Sequence, residues 1–565
     1  MEGLLADARV AKGPDWKPPL YSHLAEFERV LSSVADHHNE RYFIFKSIIL
    51  HNLYGVDIME EAVEICKLRL FLKLAAQVEP DSADKNLGIE PLPDIDFNIR
   101  AGNTLVGYAT RAELEAVGRA DLLLKEQVEE VLEAAEDAAA AYEVFVRSQL
   151  EGENPAEFKR RLLERFGHAR EKCDRFLAES YFGELPNAKK FADWKRSHQP
   201  FHWFVEFFGI LNAGGFDVII GNPPYVEYKK VIGTYRLPRE QYASENAANL
   251  YAFCMERSGV LLRQNGYFGM IVPTSLVGLD ETECVRRVLL RRFNANWFST
   301  YAIRPSKLFD GVDQRLCIHI GTRAAEVAET QILTSGYQHW SADERQFLFS
   351  RISFTVSFNH PRLKRIPQVG DRKAVSILLK LEKKMPKSAD YYYANSSRGM
   401  LMHYHRSPRY WIRGMDFEQY FKSPTRDRSV HHFRDIYFAD KAVGKFVGGL
   451  INSTLFFFWF LAVGNGRNVT GADIEKFPVG DVSPPHLAEA ADAFDRLMKD
   501  YKRNSIVRVR ADCEFQEFRP SFSKPILDEI DAVLAGHYGF TEEELDFVVN
   551  YDIKYRLGRD AGEEE

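Results

Sequence analysis

The sequence is poor in the features that mark secreted, membrane-bound or metal-dependent proteins. Its six cysteines are scattered without a CxxC pair, which argues against a zinc site or a disulfide framework and predicts reduced thiols in a cytoplasm. No uncharged apolar run approaches the ~20 residues that a membrane span needs, and the most apolar run, Leu455 to Val463, is typical of a buried strand or helix. The N-terminus lacks a basic region followed by an apolar core, so export is not expected. We therefore expect a cytoplasmic protein with no metal and no membrane partner.

An excess of positive charge is also missing, since the chain carries a formal net charge of −7 at pH 7. This value does not indicate nucleic-acid binding, but it does not exclude it, because local clustering of charge decides such binding. With 565 residues, 45% of them hydrophobic, the chain is long enough for roughly two or three domains with ample cores.

Helical and strand-like patterns alternate in the first third of the chain. Residues 43–50 have a helical pattern, and 53–56 form a short apolar strand that ends at Asp57. The next helix places four apolar side chains on one face, namely Val63, Cys66, Leu70 and Leu74. Strand, turn and helix in this order predict part of a βαβ unit in a parallel sheet.

Later segments predict an inserted helical region, further strands and a helical end. Residues 111–175 are rich in Ala, Glu, Leu, Lys and Arg, which favours long solvated helices that act as a spacer. Two apolar runs, 216–220 and 267–272, are bounded by Gly and Pro and have the pattern of central strands. Beyond about residue 323 the pattern becomes irregular, and residues 485–557 are again helical in pattern.

The segment with the clearest chemistry is Asn222-Pro223-Pro224-Tyr225, which follows the apolar run 216–220. Open α/β sheets bind their ligands at the carboxyl ends of strands, where this turn falls. The chemistry that such a turn could assist is transfer to a weakly nucleophilic amine, such as the exocyclic amine of adenine. That amine is a poor nucleophile because its lone pair is delocalised into the ring. Two acceptors, the side-chain carbonyl of Asn222 and the backbone carbonyl of Pro223, would draw the nitrogen towards tetrahedral geometry and free that lone pair. The prolines stiffen the turn, since their φ is fixed and they have no N–H.

Tyr225 completes the predicted catalytic turn by stacking on the face of the base. A base bound in this way must first leave the duplex, at a cost of a few kcal/mol. The alternative is an ordinary surface turn, because Asn, Pro and Gly are common turn residues. The apolar strand before the turn and the aromatic residue at its end favour the catalytic interpretation.

This tetrapeptide after an apolar strand resembles the fourth motif of amino-methyltransferases, particularly the adenine-specific DNA enzymes. The resemblance covers about residues 40–322 and is greatest to the large methyltransferases of type IIG restriction–modification and phage-exclusion systems. It implies an α/β fold, with a Rossmann-like methyltransferase domain and parallel sheet over 1–322 and a helical insertion at about 110–200. It also implies S-adenosylmethionine as methyl donor, adenine N6 as acceptor, and a role in restriction–modification or phage defence.

Further segments resemble the cofactor-binding and base-binding motifs of that family. Asp57, followed by Ile58, resembles the acidic residue that hydrogen-bonds the ribose of the cofactor, and a helix cap is its alternative role. Asn103 and Thr104 resemble the motif that contacts the adenine of the cofactor. Phe309 resembles the aromatic residue that stacks on the other face of the extruded base, with a core position as the alternative.

The glycine-rich first motif of the family has no counterpart before Tyr54. Such a turn lets the backbone approach the methionine moiety closely, so its loss should weaken cofactor binding and leave the sheet with an unpaired edge. We therefore expect a chain that is N-terminally incomplete. A split enzyme with a second chain that supplies the motif, a broken gene and a misplaced start remain open.

A basic and aromatic region follows the catalytic part. Between 361 and 387, nine Lys or Arg residues stand against two acidic ones, and the next stretch mixes aromatic with basic residues, which favours double-stranded DNA over a merely solvated surface. Residues 450–455 and 471–478 resemble the end of target-recognition domains in these enzymes. We therefore expect a mixed α/β target-recognition domain over 323–485 and a C-terminal helical segment over 486–565. The residues expected to contact DNA are Arg362, Lys364, Arg365, Arg406, Arg409 and Arg413.

Two other functions compete with an active DNA methyltransferase. A methyltransferase of protein glutamine faces the same problem of a weak amide nucleophile and shares the tetrapeptide, but it needs no large basic recognition domain. A catalytically inactive DNA-binding remnant would explain the missing first motif. Titration with the cofactor separates these alternatives, because a remnant would bind DNA without responding to it.

Overall fold

The computed structural model describes most of the chain, in two compact units. The described residues are 1–19, 22–80, 82–83, 87, 91–119, 122–150, 156–238, 241–324, 326, 329–394, 399–408, 410–424, 433–510 and 513–557. Unit 1 comprises Met1–Gly215 with Lys229–Pro238, and unit 2 comprises Phe216–Tyr228 with Arg239–Glu565. The division falls just before the strand that carries the catalytic turn. The expected domain boundaries at 322 and 485 stay predictions.

Unit 1 is mainly helical and contains one small parallel sheet. Its elements are α1 (Glu2–Lys12), α2 (His23–Ala35), α3 (Glu40–Asn52), β1 (Gly55–Asp57), α4 (Glu60–Ala75), β2 (Ile99–Ala101), α5 (Arg111–Gly118), α6 (Leu122–Leu150), α7 (Ala156–Phe182), α8 (Ala188–His198), α9 (Trp203–Glu206) and α10 (Phe208–Asn212). β1 and β2 pair in parallel, with Gly55 opposite Ile99 and Asp57 opposite Ala101.

The structure confirms the helical and strand pattern predicted for unit 1. The first strand begins two residues later than expected and ends at Asp57, as predicted. On α4, Val63 and Leu74 are buried while Cys66 and Leu70 are half-buried, so the predicted face is the inward one. The spacer is helical from α5 to α8. The long helices α6 and α7 pack along each other, and apolar residues of α7 such as Leu162 and Phe166 are buried.

Unit 2 holds a six-stranded mixed sheet followed by smaller sheets and helices. Its elements are β3 (Phe216–Gly221), α11 (Leu250–Leu261), β4 (Leu262–Pro273), α12 (Ser275–Gly278), α13 (Glu283–Arg292), β5 (Phe293–Tyr301), β6 (Leu316–Arg323), β7 (Gln331–Gln338), β8 (Thr355–Val356), α14 (Arg372–Glu382), β9 (Met400–His405), β10 (Gly414–Met415), β11 (Phe421–Lys422), β12 (Phe433–Phe438), α15 (Lys441–Asn452), α16 (Thr454–Val463), α17 (Gly471–Glu475), α18 (Pro484–Asn504), β13 (Ile506–Arg510), β14 (Cys513–Glu517), α19 (Lys524–Tyr538), α20 (Glu542–Val549) and α21 (Ile553–Leu557).

The large sheet differs from the parallel sheet that the sequence predicts. Its strand order is β3-β4-β6-β5-β7-β8; β3 and β4 are parallel, whereas β6 is antiparallel to both β4 and β5. β4 is central, as predicted, but no other strand of the described residues pairs with the outer side of β3. The expectation that 216–220 forms a central strand is therefore wrong for this part of the chain. Apolar composition does not distinguish a central strand from an edge strand, since pairing depends on segments far away in sequence.

One face of this sheet is packed and the other is partly open at the β3 end. Phe268, Met270 and Val272 of β4 are buried against α11 and α13. On the opposite face, Ile220 is 80% exposed, and Val218, Tyr267 and Ile320 are also exposed. Parallel strands are normally buried on both faces, so this open apolar area is unusual.

The C-terminal part of unit 2 is built around two buried helices. All ten residues of α16 are buried, which confirms the interpretation of the run 455–463 as a core element. Among the described residues, no single helix is long and apolar enough to cross a bilayer, although α15 and α16 satisfy that test together as a pair bent by 65°. The predicted helical end is interrupted by the hairpin of β13 and β14, which the alternating β-branched and basic residues of Ile506–Arg510 could have indicated.

Candidate functional site

The catalytic turn predicted from the sequence lies at the carboxyl end of β3. Asn222 follows Gly221, the last residue of the strand, and is exposed. Beyond the turn, the backbone N–H of Tyr228 donates to the carbonyl of Ala248, and the N–H of Leu250 donates to the carbonyl of Val226. The turn is thus fixed on one side by the ladder between β3 and β4 and on the other by these two bonds.

Tyr225 makes a contact that the sequence did not predict. Its hydroxyl lies 2.5 Å from Oδ1 of Asn222 and 2.9 Å from the carbonyl oxygen of Ile271, so it donates its proton to one of these two acceptors. The ring is half-buried, and burial raises the pKa of Tyr225 to about 12, so the phenol stays protonated at neutral pH. The tyrosine therefore orients the Asn222 side chain, a role separate from the predicted stacking.

The loop that carries Phe309 lies in the same unit and meets Tyr225 through a shared apolar cluster. Leu308 is buried with Tyr301 and Leu316, and the Tyr225 ring packs against that cluster. Phe309 itself is 38% exposed, which excludes the alternative that it is a core residue. The guanidinium of Arg345 donates to the carbonyls of Lys307 and Leu308 at 2.9 and 2.8 Å and so fixes the loop.

The residues predicted to bind the cofactor lie in unit 1, at the carboxyl ends of β1 and β2. Asp57 is exposed, and its Oδ1 accepts the backbone N–H of Met59 at 2.8 Å. This bond supports the turn before α4, and the other carboxylate oxygen has no hydrogen bond to a described residue. Ile58 is exposed beside it. An exposed carboxylate at a strand end suits a vicinal diol.

Asn103 and Thr104 follow β2 and are held by the segment after α8. The backbone N–H of Asn103 donates to the carbonyl of Gln199 at 2.7 Å, and its Oδ1 accepts the N–H of Leu105. Nδ2 of Asn103 is buried and finds no partner among the described residues. Because a buried unpaired donor costs about 1–3 kcal/mol, it fits a ligand acceptor such as a purine nitrogen. These residues therefore suit the adenosyl part of the expected cofactor.

Trp203 and His202 support this part of unit 1 and were not assigned roles from the sequence. Nε1 of Trp203 donates to the hydroxyl of Thr104 at 3.1 Å. His202 is fully buried, and its Nε2 lies 3.0 Å from the carboxylate of Asp174. The signal that could have found them is the stretch His202-Trp203-Phe-Val-Glu206, in which polar and aromatic residues interrupt an otherwise apolar segment.

The six residues expected to contact DNA have different environments. Arg365 is buried and pairs with Asp280 at 2.8 Å and Asp473 at 3.0 Å, so the expectation that it meets phosphate is corrected: its charge holds distant segments of unit 2 together. Arg362 is half-buried and bonds Glu382 at 3.0 Å and the carbonyl of Lys476. Lys364 is exposed.

The other three residues expected to contact DNA also differ in their environments. The Arg413 guanidinium lies over the ring of Phe518, 5.7 Å from its centroid. Arg406 is half-buried and lines a cavity together with Arg434. Arg409 lies outside the described residues. Among the described members of the predicted set, Lys364 and Arg406 are the cations with no ion pair or ring contact to a described residue, and Arg434, which no motif indicated, lines the same cavity as Arg406.

Metal ligands do not cluster in the described part of the chain, where no group of three or more His, Cys, Asp or Glu side chains could hold an ion. All six cysteines are free thiols.

The class of protein is shown by a match to a known family. Residues 51–304, somewhat less than half of the chain, match the family described as Eco57I restriction-modification methylase. The match spans parts of both units and contains the catalytic turn. The resemblance seen in the motifs is thereby confirmed.

Three individual proteins are similar to this chain. A curated protein of Methanocaldococcus jannaschii, named "Putative type II restriction enzyme and methyltransferase", is 26% identical over 379 residues, covering 57% of this chain and 30% of the relative. This chain thus spans less than a third of that relative's length. The type IIL restriction-modification enzyme MmeI in complex with DNA is similar at 12% identity and a TM-score of 0.38, over 94% of this chain and 78% of that one. The type IIG restriction endonuclease BpuSI is similar at 9% identity and a TM-score of 0.25, over 96% and 80%.

Proposed function

We propose that this chain is a site-specific DNA methyltransferase that transfers a methyl group from S-adenosylmethionine to the N6 amine of adenine, within a restriction–modification or phage-defence system. The observation that carries the proposal is the catalytic turn itself. Asn222 is exposed at the end of a strand, and its side-chain carbonyl is oriented by the Tyr225 hydroxyl. The match to restriction-modification methylases supports it.

The proposed chemistry depends on two carbonyl oxygens of the turn. Oδ1 of Asn222 has a second lone pair besides the one that faces Tyr225, so it can accept a hydrogen bond from the target amine. The carbonyl of Pro223 accepts the other N–H. Both bonds strengthen as positive charge develops on the nitrogen, which is the condition for lowering the barrier. Tyr225 and Phe309 enclose the extruded base between aromatic faces, and the two prolines keep the acceptors fixed.

The residues of unit 1 hold the methyl donor in this proposal. S-adenosylmethionine supplies an electrophilic methyl group on a sulfonium. The Asp57 carboxylate accepts from the ribose hydroxyls, Ile58 lies against the adenine ring, and the unpaired amide of Asn103 donates to a ring nitrogen. Thr104 is fixed by Trp203 and sets the position of Asn103. We propose one Rossmann-like methyltransferase domain over 1–322, since the family match includes residues of both units.

The catalytic assignment is tested by Asn222→Ala, with the exposed Asn550→Ala as a matched control. Purified chain, alone and with a segment that supplies the glycine-rich motif, is incubated with labelled S-adenosylmethionine and unmethylated DNA, and variants are compared by mass spectrometry of methylated adenine under the condition in which the wild type is active. We expect Asn222→Ala to lower transfer by at least about 100-fold, the usual loss for one preorganised electrostatic group, with unchanged DNA binding. Asn550→Ala should match the wild type. Equal methylation by Asn222→Ala would show that the turn is not catalytic.

The cofactor assignment is tested by thermal unfolding with S-adenosylmethionine. A ligand at about 100 times its Kd stabilises the folded state by about 2.7 kcal/mol, so the wild type should unfold at a higher temperature. Asp57→Ala should lose most of this shift, whereas Asp7→Ala on α1 should keep it. A wild-type chain that binds DNA without any shift would favour the inactive remnant.

The open side of β3 supports a further part of the proposal, a second polypeptide segment that supplies the glycine-rich cofactor motif. Val218 and Ile220 are exposed there, and the strand has an unused ladder edge among the described residues. A parallel strand with apolar side chains would cover both. A wild-type chain that methylates only after such a segment is added would support this arrangement, and full activity of the chain alone would contradict it.

A further inference from the structure

A cavity of about 490 Å³ in unit 2 lies between the strand pair β9–β12 and the start of α17. It is separate from the catalytic turn and from the residues proposed to bind the cofactor. Its lining combines two cations with phenol groups and two acids, of which Asp435 is paired with His403 and Glu475 is not. The side chains that matter for its chemistry are Tyr393, Tyr404, Arg406, Arg434, Glu475 and Thr470.

The walls of the cavity are fixed by hydrogen bonds on both sides. β12 pairs with β9 over six positions, and Arg434 stands opposite Tyr404. At the next pair, Nδ1 of His403 lies 2.7 Å from the carboxylate of Asp435. The carbonyl of Arg406 accepts the backbone N–H of Val469 at 2.7 Å. This bond ties the end of β9 to the segment that leads into α17.

The wall formed by the start of α17 is also fixed by hydrogen bonds. Thr470 and Asp473 form a reciprocal capping box at the start of α17. Asp473 also accepts a hydrogen bond from the buried Arg365. The backbone that carries the polar groups of this cavity is therefore fixed on both sides.

Two guanidinium groups and one hydroxyl of the cavity have no hydrogen-bond partner among the described residues. The guanidinium groups of Arg406 and Arg434 make no hydrogen bond or ion pair to a described residue, in contrast to Arg362 and Arg365 nearby in sequence. The Tyr393 hydroxyl is buried and has no partner among the described residues. Burial raises the pKa of Tyr393, so it remains a hydroxyl that can donate.

We propose that this cavity reads one G·C base pair of the DNA target, which makes Arg406, Arg434 and Glu475 specificity-determining residues. The inference rests on the proposed function, since it assumes a DNA substrate. Arg side chains pair with the O6 and N7 acceptors of guanine, and a carboxylate accepts from the N4 amine of cytosine. The cavity offers both kinds of group, and the Tyr393 hydroxyl supplies a further donor.

A phosphate group fits the same site less well. Two free guanidinium groups would attract a phosphate, but the Glu475 carboxylate lines the same cavity and would repel it. The edge of a base pair carries acceptors and donors side by side, so it satisfies the cations and the acid together. The mixture of charges therefore distinguishes base reading from backbone binding.

The experiment is a binding selection from a randomised duplex library, followed by sequencing of the bound DNA. It does not depend on methyl transfer, so it separates this inference from the catalytic proposal. We compare the wild type with Arg434→Ala, Arg406→Ala and Glu475→Gln. Arg372→Ala on α14 removes an exposed cation outside the cavity and serves as the control.

We expect the wild type to select G·C at one position, and each cavity variant to relax the preference there by about 10- to 100-fold, the usual contribution of one good base contact. Other positions of the site and the selection by Arg372→Ala should be unchanged. Equal weakening at all sequences would assign the cavity to phosphate and overturn the inference. An unchanged selection by the variants, or a wild type that binds no DNA, would also overturn it.

Discussion

At the scale of single residues, Tyr225 shows how a predicted role was incomplete. The sequence indicated stacking, whereas the structure adds a hydroxyl that lies 2.5 Å from Oδ1 of Asn222. An amide that is held in one orientation presents its oxygen to the substrate rather than its NH₂ group. The hydroxyl should therefore contribute to the chemical step, and the ring should contribute to base binding.

Tyr225→Phe separates these two contributions because it keeps the ring and removes the hydroxyl. We expect kcat to fall about 10-fold, as for the loss of one hydrogen bond of ~1.4 kcal/mol, while KM for DNA changes little. Tyr225→Ala should in addition raise KM, since base–aromatic stacking contributes about 1–3 kcal/mol. Steady-state methylation kinetics measure both values. A Tyr225→Phe enzyme with wild-type kcat would mean that the hydroxyl serves only to fold the turn.

The arginines show what charge in a sequence cannot reveal. Arg365 and Arg406 both belong to basic regions, and both were expected to meet DNA. Arg365 is buried because Asp280 and Asp473, both distant in sequence, converge on it. Arg406 has no such partner among the described residues. The type of residue was predictable, but its environment depends on tertiary contacts that no local pattern contains.

At the scale of elements, α15 illustrates close packing that depends on glycine. A Cβ atom built on Gly448 would lie 2.5 Å from Cε of Met402 and 2.6 Å from the ring of Phe494. On the adjacent Gly449, the nearest atom would be 3.5 Å away, on Ile530, which is ordinary contact. The two neighbouring glycines of one helix therefore differ in the space that surrounds them.

This difference gives a matched pair of variants. Gly448→Ala should lower the free energy of unfolding by about 1–3 kcal/mol because the methyl group of Met402 and the ring of Phe494 must shift within a packed core. Gly449→Ala should be neutral or raise it by up to about 1 kcal/mol, since alanine favours the helix. Urea unfolding measures both. Similar losses for the two variants would contradict the packing described for α15.

Elements with a strong local pattern were predicted well, and those defined by pairing were not. The long helices α6 and α7 follow from composition, and β4 follows from an apolar run between breakers. The edge position of β3 and the antiparallel β6 could not be read from the chain, because strand order is a property of the whole sheet. The tetrapeptide 222–225 could be singled out because its residues are contiguous in sequence, and its catalytic role stays a prediction.

At the scale of the whole molecule, one buried carboxylate should couple stability to pH. Asp531 lies on α19, and its two oxygens accept the backbone N–H groups of Thr454 and Leu455 at 3.1 and 3.0 Å, at the start of α16. Burial raises the pKa of Asp531 from 3.8 to about 6 in spite of these bonds. The folded state thus holds this proton more tightly than the unfolded state does.

The sign of the effect follows from this difference. The contribution of Asp531 to stability is fully present below pH 3.8 and is lost as the pH rises through about 6. This contribution to the free energy of unfolding amounts to roughly 3 kcal/mol, because the folded and unfolded pKa values differ by about two. We expect Asp531→Asn to flatten the pH dependence of the unfolding free energy between about pH 4 and 6, and the exposed Asp492→Asn to leave it unchanged. Parallel curves for wild type and Asp531→Asn would show that another group titrates there.

The open edge of β3 has a consequence for the behaviour of the chain in solution. An edge strand with exposed Val218 and Ile220, whose outer side pairs with no strand of the described residues, is a template for strands of other molecules, and such edges promote aggregation unless they are covered or charged. Asp217 and Arg263 pair beside it at 2.5 Å, which leaves little net charge to repel a second copy. The concentration at which this protein begins to self-associate should therefore depend on Ile220, and a lysine at that position would act as a gatekeeper against it.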